Sequence, residues 1–386
     1  MWEKSGVEVR VAVSSLLSVQ ILRALAATMV VLHHVQLNLV LGFGLPNALP
    51  NLSVGSAGVD IFFGISGFVM VISSDRLFGQ PGAAKTFIIR RLIRIVPLYW
   101  AVTMLYVVSL GGGYTLAHTA ASFLFVPLAA PGGAMQPLHV VGWTLNYEMF
   151  FYALFAMAIA LPRRLAVYVL IAVMIGLVAA GRVIPPDNDL LTFWTRPIML
   201  NFGLGLALGL AYRQGIRLPR SIACGMMAMA AFLFWRQVGQ PFPSSWGRVM
   251  AYGFPSALLL AGATLGRFGP IPRGARSVAL VGDASYALYL LHPLALWGCR
   301  MVALRLKLPV EAAPWSYATV VTAASIALSL MAYRFFDRPV TGWLRRRFVS
   351  RPAPATASLS GTVSLPQAGF DPAALRPTPM VPPTHS

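Results

Sequence analysis

Stretches of about 20 apolar residues recur along the whole chain, and a helix of that length crosses the hydrocarbon core of a bilayer. A chain built this way has one economical solution. Every backbone polar group must be satisfied within its own segment, so the segments become packed membrane helices. Composition agrees: 57% of the residues are hydrophobic and 11% charged, where soluble domains carry roughly a quarter charged residues. Ten spans are predicted, near 18–41, 54–73, 94–112, 143–161, 165–181, 197–212, 219–235, 249–266, 283–303 and 315–336. A weaker apolar piece near 119–130 precedes Pro131-Gly132-Gly133 and is expected to be re-entrant or interfacial. The first span carries an arginine and two histidines and no clear cleavage site, so it is expected to be retained. The expected fold is therefore an all-α integral membrane bundle of about ten transmembrane helices over 18–340. Residues 1–17 would form a cytoplasmic N-terminal segment. The Pro-, Ala-, Ser- and Thr-rich stretch 350–386 would be a disordered cytoplasmic tail.

The formal net charge is +19. Its basic residues lie in short blocks between apolar spans, which is how charge orients a membrane protein; no nucleic-acid partner is expected. With the N-terminus inside, alternate loops collect Arg90, Arg91, Arg94, Arg163, Arg213 and the run Arg345 to Arg347, among others. The opposite loops hold only Arg182, Arg196, Arg236, Arg248, Arg305 and Lys307. Both termini are thus predicted to be cytoplasmic. Cys224 and Cys299 fall in apolar spans and read as small hydrophobes, and no metal site is expected.

Against this apolar background a few polar residues stand out, because ionisable groups in a membrane helix are costly and mark functional sites. Arg23 and His34 are eleven residues apart in the first span. Eleven steps of about 100° place them on one face, and a rise of about 1.5 Å per residue separates them by roughly 16 Å. The charge map puts Arg23 near the cytoplasmic surface and His34 deeper. An imidazole titrates near neutrality and can serve as a general base; His33 points about 100° away and is the weaker candidate.

The second span opens Gly58-Val-Asp-Ile-Phe-Phe-Gly-Ile-Ser-Gly-Phe68. Asp60 could orient an imidazole or simply favour a helix N-terminus. Ser66 lies deeper, and Gly64 and Gly67 would allow close helix approach. In the third span Arg91 and Arg94 share a face at the cytoplasmic mouth. They suit phosphate, although spacing alone favours a plain positive-inside anchor. Glu148 is the acid of the fourth span and must be paired, protonated or functional. Trp143 and Tyr152 flank it as interface aromatics or as the wall of an acceptor groove. Tyr286, Tyr289 and His292 form a polar stripe at steps of three. Asp337 beside Arg338 reads as a charge pair at a helix end.

Taken together, in this order and spacing, these motifs resemble those of the membrane acyltransferase-3 family, in its exopolysaccharide-production branch. Arg23 and His34 match the family's arginine and histidine with ten residues between them in the first helix. Residues 58–68 match its glycine-valine-aspartate and serine-glycine-phenylalanine run. Arg90, Arg91, Arg94, Pro97 and Tyr99 match its basic run before proline and tyrosine. Trp143 with Glu148, and Ser285, Tyr286 and His292, match two further segments. Asp337 stands where the family often has glutamate.

The resemblance implies a bacterial inner-membrane O-acyltransferase. It would take an acyl group, expected to be acetyl, from cytoplasmic acyl-CoA and pass it to a saccharide or lipid-linked saccharide. No permanently bound cofactor is expected. Arg91, Arg94 and Arg23 would meet the donor, and His34 would be the base. Glu148 or Asp60 would orient it or help hold the sugar, and Trp143, Tyr286, His292 and Ser66 would contact substrate. A relay through Ser66 or His34 stays open at this level. So does the rival class, a transporter or flippase of a lipid-linked saccharide or acyl group.

Overall fold

A computed structural model describes residues 2–110, 114–130, 133–183, 189–269 and 274–349. The tail expected over 350–386 lies outside the described residues. Among those residues all regular structure is helical, apart from two isolated bridges, Ala129 with Met135 and Leu218 with Gly266.

The long helices of the first half are α1 (Trp2–Phe43), α2 (Ala57–Ser73) and α3 (Ala83–Leu110). Short α4 (Leu116–Phe123) leads to α5 (Trp143–Ala158), α6 (Arg163–Val183) and short α7 (Asp189–Trp194). The second half holds α8 (Leu200–Arg213), α9 (Arg220–Trp235), α10 (Ser245–Arg248), α11 (Phe254–Leu265) and α12 (Ala275–Asp283). It ends with α13 (Ser285–Arg305), α14 (Pro314–Ala332) and α15 (Arg338–Phe348). Two π-helical turns, Val249–Gly253 and Tyr333–Asp337, fuse α10 to α11 and α14 to α15.

All ten expected segments are helical in their described residues. Seven helices among the described residues are long and apolar enough to cross a membrane. The segments expected at 143–161, 197–212 and 219–235 form the shorter helices α5, α8 and α9, of 16, 14 and 16 residues. The third span differs most. It begins at Ala83 rather than near 94, because basic residues extend a helix as readily as apolar ones. Arg91 and Arg94 therefore lie inside α3, not at its mouth.

Packing brings α2 and α8 into backbone contact. A Cβ on Gly67 would sit 2.2 Å from the Phe202 carbonyl oxygen, and one on Gly205 would sit 2.0 Å from that of Gly64. Beside this seam stacks an aromatic core. Phe63 and Phe151 each pack on Phe202, with centroids 4.3 and 4.4 Å away, and Tyr147 lies 4.0 Å from Phe193. These rings fix α2, α5, α7 and α8 as one block, leaving a polar hollow between that block and α1, α3 and α13.

Candidate active site

That hollow is a cavity of about 210 Å³, and it gathers residues far apart in sequence. Arg23, Ser66, Arg91, Arg94, Glu148 and Tyr286 line it, all of them expected site residues. Tyr152, Ser285, Tyr289 and Arg345 join them. Four guanidinium groups thus border a space whose lining, among the described residues, includes a single carboxylate, Glu148.

Arg23, Arg91, Arg94 and Glu148 each have a defined partner. The Nε of Arg23 donates to Ser285 Oγ at 3.0 Å and to the Gly282 carbonyl at 3.3 Å, so Arg23 also ties α1 to the start of α13. Arg91 donates to Ser73 Oγ at 2.9 Å and lies over the Phe87 ring. Arg94 pairs with Asp337 Oδ2 at 2.7 Å and lies over the Tyr286 ring. Asp337 is buried, and its partner is this arginine rather than the adjacent Arg338 expected from sequence. Glu148 Oε1 accepts from Ser66 Oγ at 3.1 Å and from the Tyr152 hydroxyl. Tyr286 donates to the Ile95 carbonyl at 2.7 Å.

His34 is not among the cavity-lining residues. It lies just beyond Tyr289, whose ring is 6.1 Å from that of His292. His292 in turn lies 4.8 Å from His34, centroid to centroid. Both rings place Nδ1 against a carbonyl one turn back in their own helix, Val30 at 2.9 Å and Leu288 at 3.2 Å. A carbonyl only accepts, so in the neutral rings Nδ1 carries the proton and Nε2 the lone pair. The base-competent nitrogen of His34 is therefore Nε2. His292 is fully buried and its Nε2 has no hydrogen-bond partner.

Neither expected acid orients His34. Glu148 is held by Ser66 and Tyr152. Asp60 is fully buried, its Oδ2 2.7 Å from Arg248 Nη2 and its Oδ1 2.7 Å from Asn201 Nδ2. The neighbour of His34 is a second imidazole instead. Trp143 lies on another hollow, of about 390 Å³, on a different face of α5.

Sequence reading missed Tyr152 as a partner of Glu148, although a spacing of four puts both on one face. Arg345 was counted only as an inside charge, and nothing distinguishes it from Arg346 and Arg347 along the chain. Arg248 and Asn201 carry no local signal, since their partner lies more than a hundred residues away.

The sequence profile of the acyltransferase-3 family, described as an acyltransferase domain, matches residues 16–334. The chain is 34% identical to the exopolysaccharide production protein ExoZ of Rhizobium meliloti (strain 1021), over 81% of this chain and 95% of that one. It is 27% identical to the acyltransferase MdmB of Streptomyces mycarofaciens, over 78% of this chain and 81% of that one. No solved structure matches.

Proposed function

Because the chain belongs to the acyltransferase-3 family of multi-pass membrane acyltransferases, we propose that it moves an acyl group from cytoplasmic acyl-CoA to a saccharide hydroxyl. The acceptor is a cell-surface or exopolysaccharide sugar, the membrane is the bacterial inner membrane, and the group is acetyl. The observation that carries this reading is a polarity gradient along one face of α1. Arg23 borders a cavity with Arg91, Arg94 and Arg345, and His34 lies beyond its far end with Nε2 as its acceptor nitrogen. Guanidinium groups suit the phosphates of a CoA donor. At about 210 Å³ the cavity is smaller than the roughly 300–1,000 Å³ of sites that enclose a drug-sized ligand. It suits the thioester arm better than a whole nucleotide.

In the reaction, His34 Nε2 takes the proton of the acceptor hydroxyl as its oxygen attacks the thioester carbonyl. The C–S bond breaks, and the imidazolium returns the proton to the departing CoA sulfur. Glu148, held by Ser66 and Tyr152, supplies a fixed acceptor for a sugar or pantetheine donor group.

The test is acetyl-CoA-dependent transfer in membranes carrying His34→Ala at normal protein level, read by mass spectrometry of the polysaccharide. General-base loss should lower the rate by roughly 10²–10⁴-fold, and undiminished transfer would overturn the assignment. A carrier of lipid-linked saccharide would leave the mass of each repeat unchanged.

A further inference from the structure

The second hollow has a chemistry of its own. Helix α5 is its wall: Thr144, Glu148 and Tyr152, at steps of four, line the first cavity, and Trp143 and Tyr147 line the second. Four aromatic side chains border it, Trp143, Tyr147, Phe193 and Phe242, together with Arg196 and Arg248. Tyr147 donates to the Phe193 carbonyl at 2.7 Å, which pins α7 against α5 as a rigid floor. Among the described residues no carboxylate lines the hollow. Asp60, the partner of Arg248, is fully buried behind it.

Flat aromatic faces accept the apolar face of a pyranose ring, while planar guanidinium groups bind carboxylate or phosphate in two-point fashion. The two arginines are held differently. Arg248 is 7% exposed, fixed by Asp60 and by the Ser56 carbonyl, and lies over the rings of Phe242 and Tyr252. Arg196 is exposed at the rim, over Phe193. Asp60 balances Arg248, whereas among the described residues no carboxylate pairs with Arg196.

We propose that this hollow binds the acceptor saccharide through an anionic substituent, the sugar ring resting on Trp143 and the anion meeting Arg196 and Arg248. The proposal rests on the acyltransferase reading above and gives its acceptor a chemical class, an acidic rather than a neutral sugar. Asp60 then acts through Arg248, as a positioning residue for the acceptor.

Tryptophan fluorescence of the purified full-length protein tests it, titrated with a glucuronate-containing trisaccharide, the same trisaccharide with its carboxyl reduced to an alcohol, and a phosphorylated sugar. The anionic saccharide should bind at least tenfold more tightly than its reduced form. Arg196→Gln should erase that preference, and Arg196→Lys should keep part of it. Elution profile and thermal transition check that each variant is folded. A phosphate that outbinds the uronate would assign the anion to phosphate. Equal binding of acid and alcohol, a preference unchanged in Arg196→Gln, or no saccharide binding by the parent protein would overturn the proposal. Acetyl transfer from acetyl-CoA is followed on the same preparations. Anion-selective binding without transfer would break the enzymatic reading and leave the saccharide site standing.

Discussion

His34 and His292 each donate Nδ1–H to a carbonyl of their own helix, and this fixes two neighbouring rings in one tautomer. In the proposed reaction a base held in this way would need no carboxylate to choose its tautomer, consistent with Asp60 and Glu148 being committed elsewhere. The His292 ring lies 4.8 Å from that of His34, so His292 is expected to contribute orientation. Replacing His292 by alanine leaves the Val30 bond of His34 in place but frees the ring to turn. Steady-state kinetics should then show kcat down by ~10-fold, part of the roughly 10²–10⁴ a general base supplies, with the acyl-CoA KM unchanged. A matched rise in KM would instead place His292 in donor binding. At this scale the sequence was informative where partners share a helix. The shared face of Arg23 and His34 follows from helical geometry, and the same geometry, applied to Glu148 and Tyr152, would have paired them. It was uninformative where the partner is tertiary, as for Arg94 with Asp337 and Asp60 with Arg248.

Helix positions follow from the apolar runs, but helix ends do not. The start of α3 was masked by its basic residues, since hydropathy detects the membrane and not the helix. Both buried ion pairs have one member at the edge of a π-helical turn: Arg248 precedes Val249–Gly253, and Asp337 closes Tyr333–Asp337. Such turns shift the register of a helix and are common at functional sites, and no hydropathy pattern announces them. The glycines of α2 were legible as a group, but their roles separate only in three dimensions. A Cβ on Gly67 would meet backbone at 2.2 Å, whereas one on Gly64 would make only ordinary contacts, with the flexible Leu260 side chain at 3.4 Å and the Asn201 carbonyl oxygen at 4.0 Å. Gly67→Ala must therefore push α2 from α8, at a cost of ~1–3 kcal/mol, typical of an overpacked core. Gly64→Ala should be neutral or gain up to about 1 kcal/mol of helix propensity. Thermal unfolding of the two variants in detergent separates these outcomes, and equal midpoints would contradict the packing at this seam.

Across the whole membrane unit, two contacts give α1 and α13 a common direction. Arg23 meets Ser285 near the start of α13, and His34 meets His292 further along, so both chains advance the same way. Counting alternate crossings from an inside N-terminus gives these two helices that same sense. Length adds a second constraint. Helix α1 has 42 residues, about 63 Å at about 1.5 Å each, against a hydrocarbon core of about 30 Å. Its apolar part is Leu17–Phe43, so the earlier residues must project beyond the bilayer. The continuous helix Pro314–Phe348 is likewise too long, and its last turn carries Arg345, Arg346 and Arg347. Arg345 lines the same cavity as Arg23, so the two projecting ends belong to one side. Basic residues favour the cytoplasm, so that side is expected to be the inner one, the side on which the proposed function needs its acyl-CoA donor. A reporter fused after Ser386 should then be active as β-galactosidase and silent as alkaline phosphatase, and one inserted after Gly239 should show the reverse. An active phosphatase at the C-terminus would put the arginines on the wrong side for a cytoplasmic donor. The route from Arg23 to His34 would then have to be redrawn, even with every contact along it unchanged.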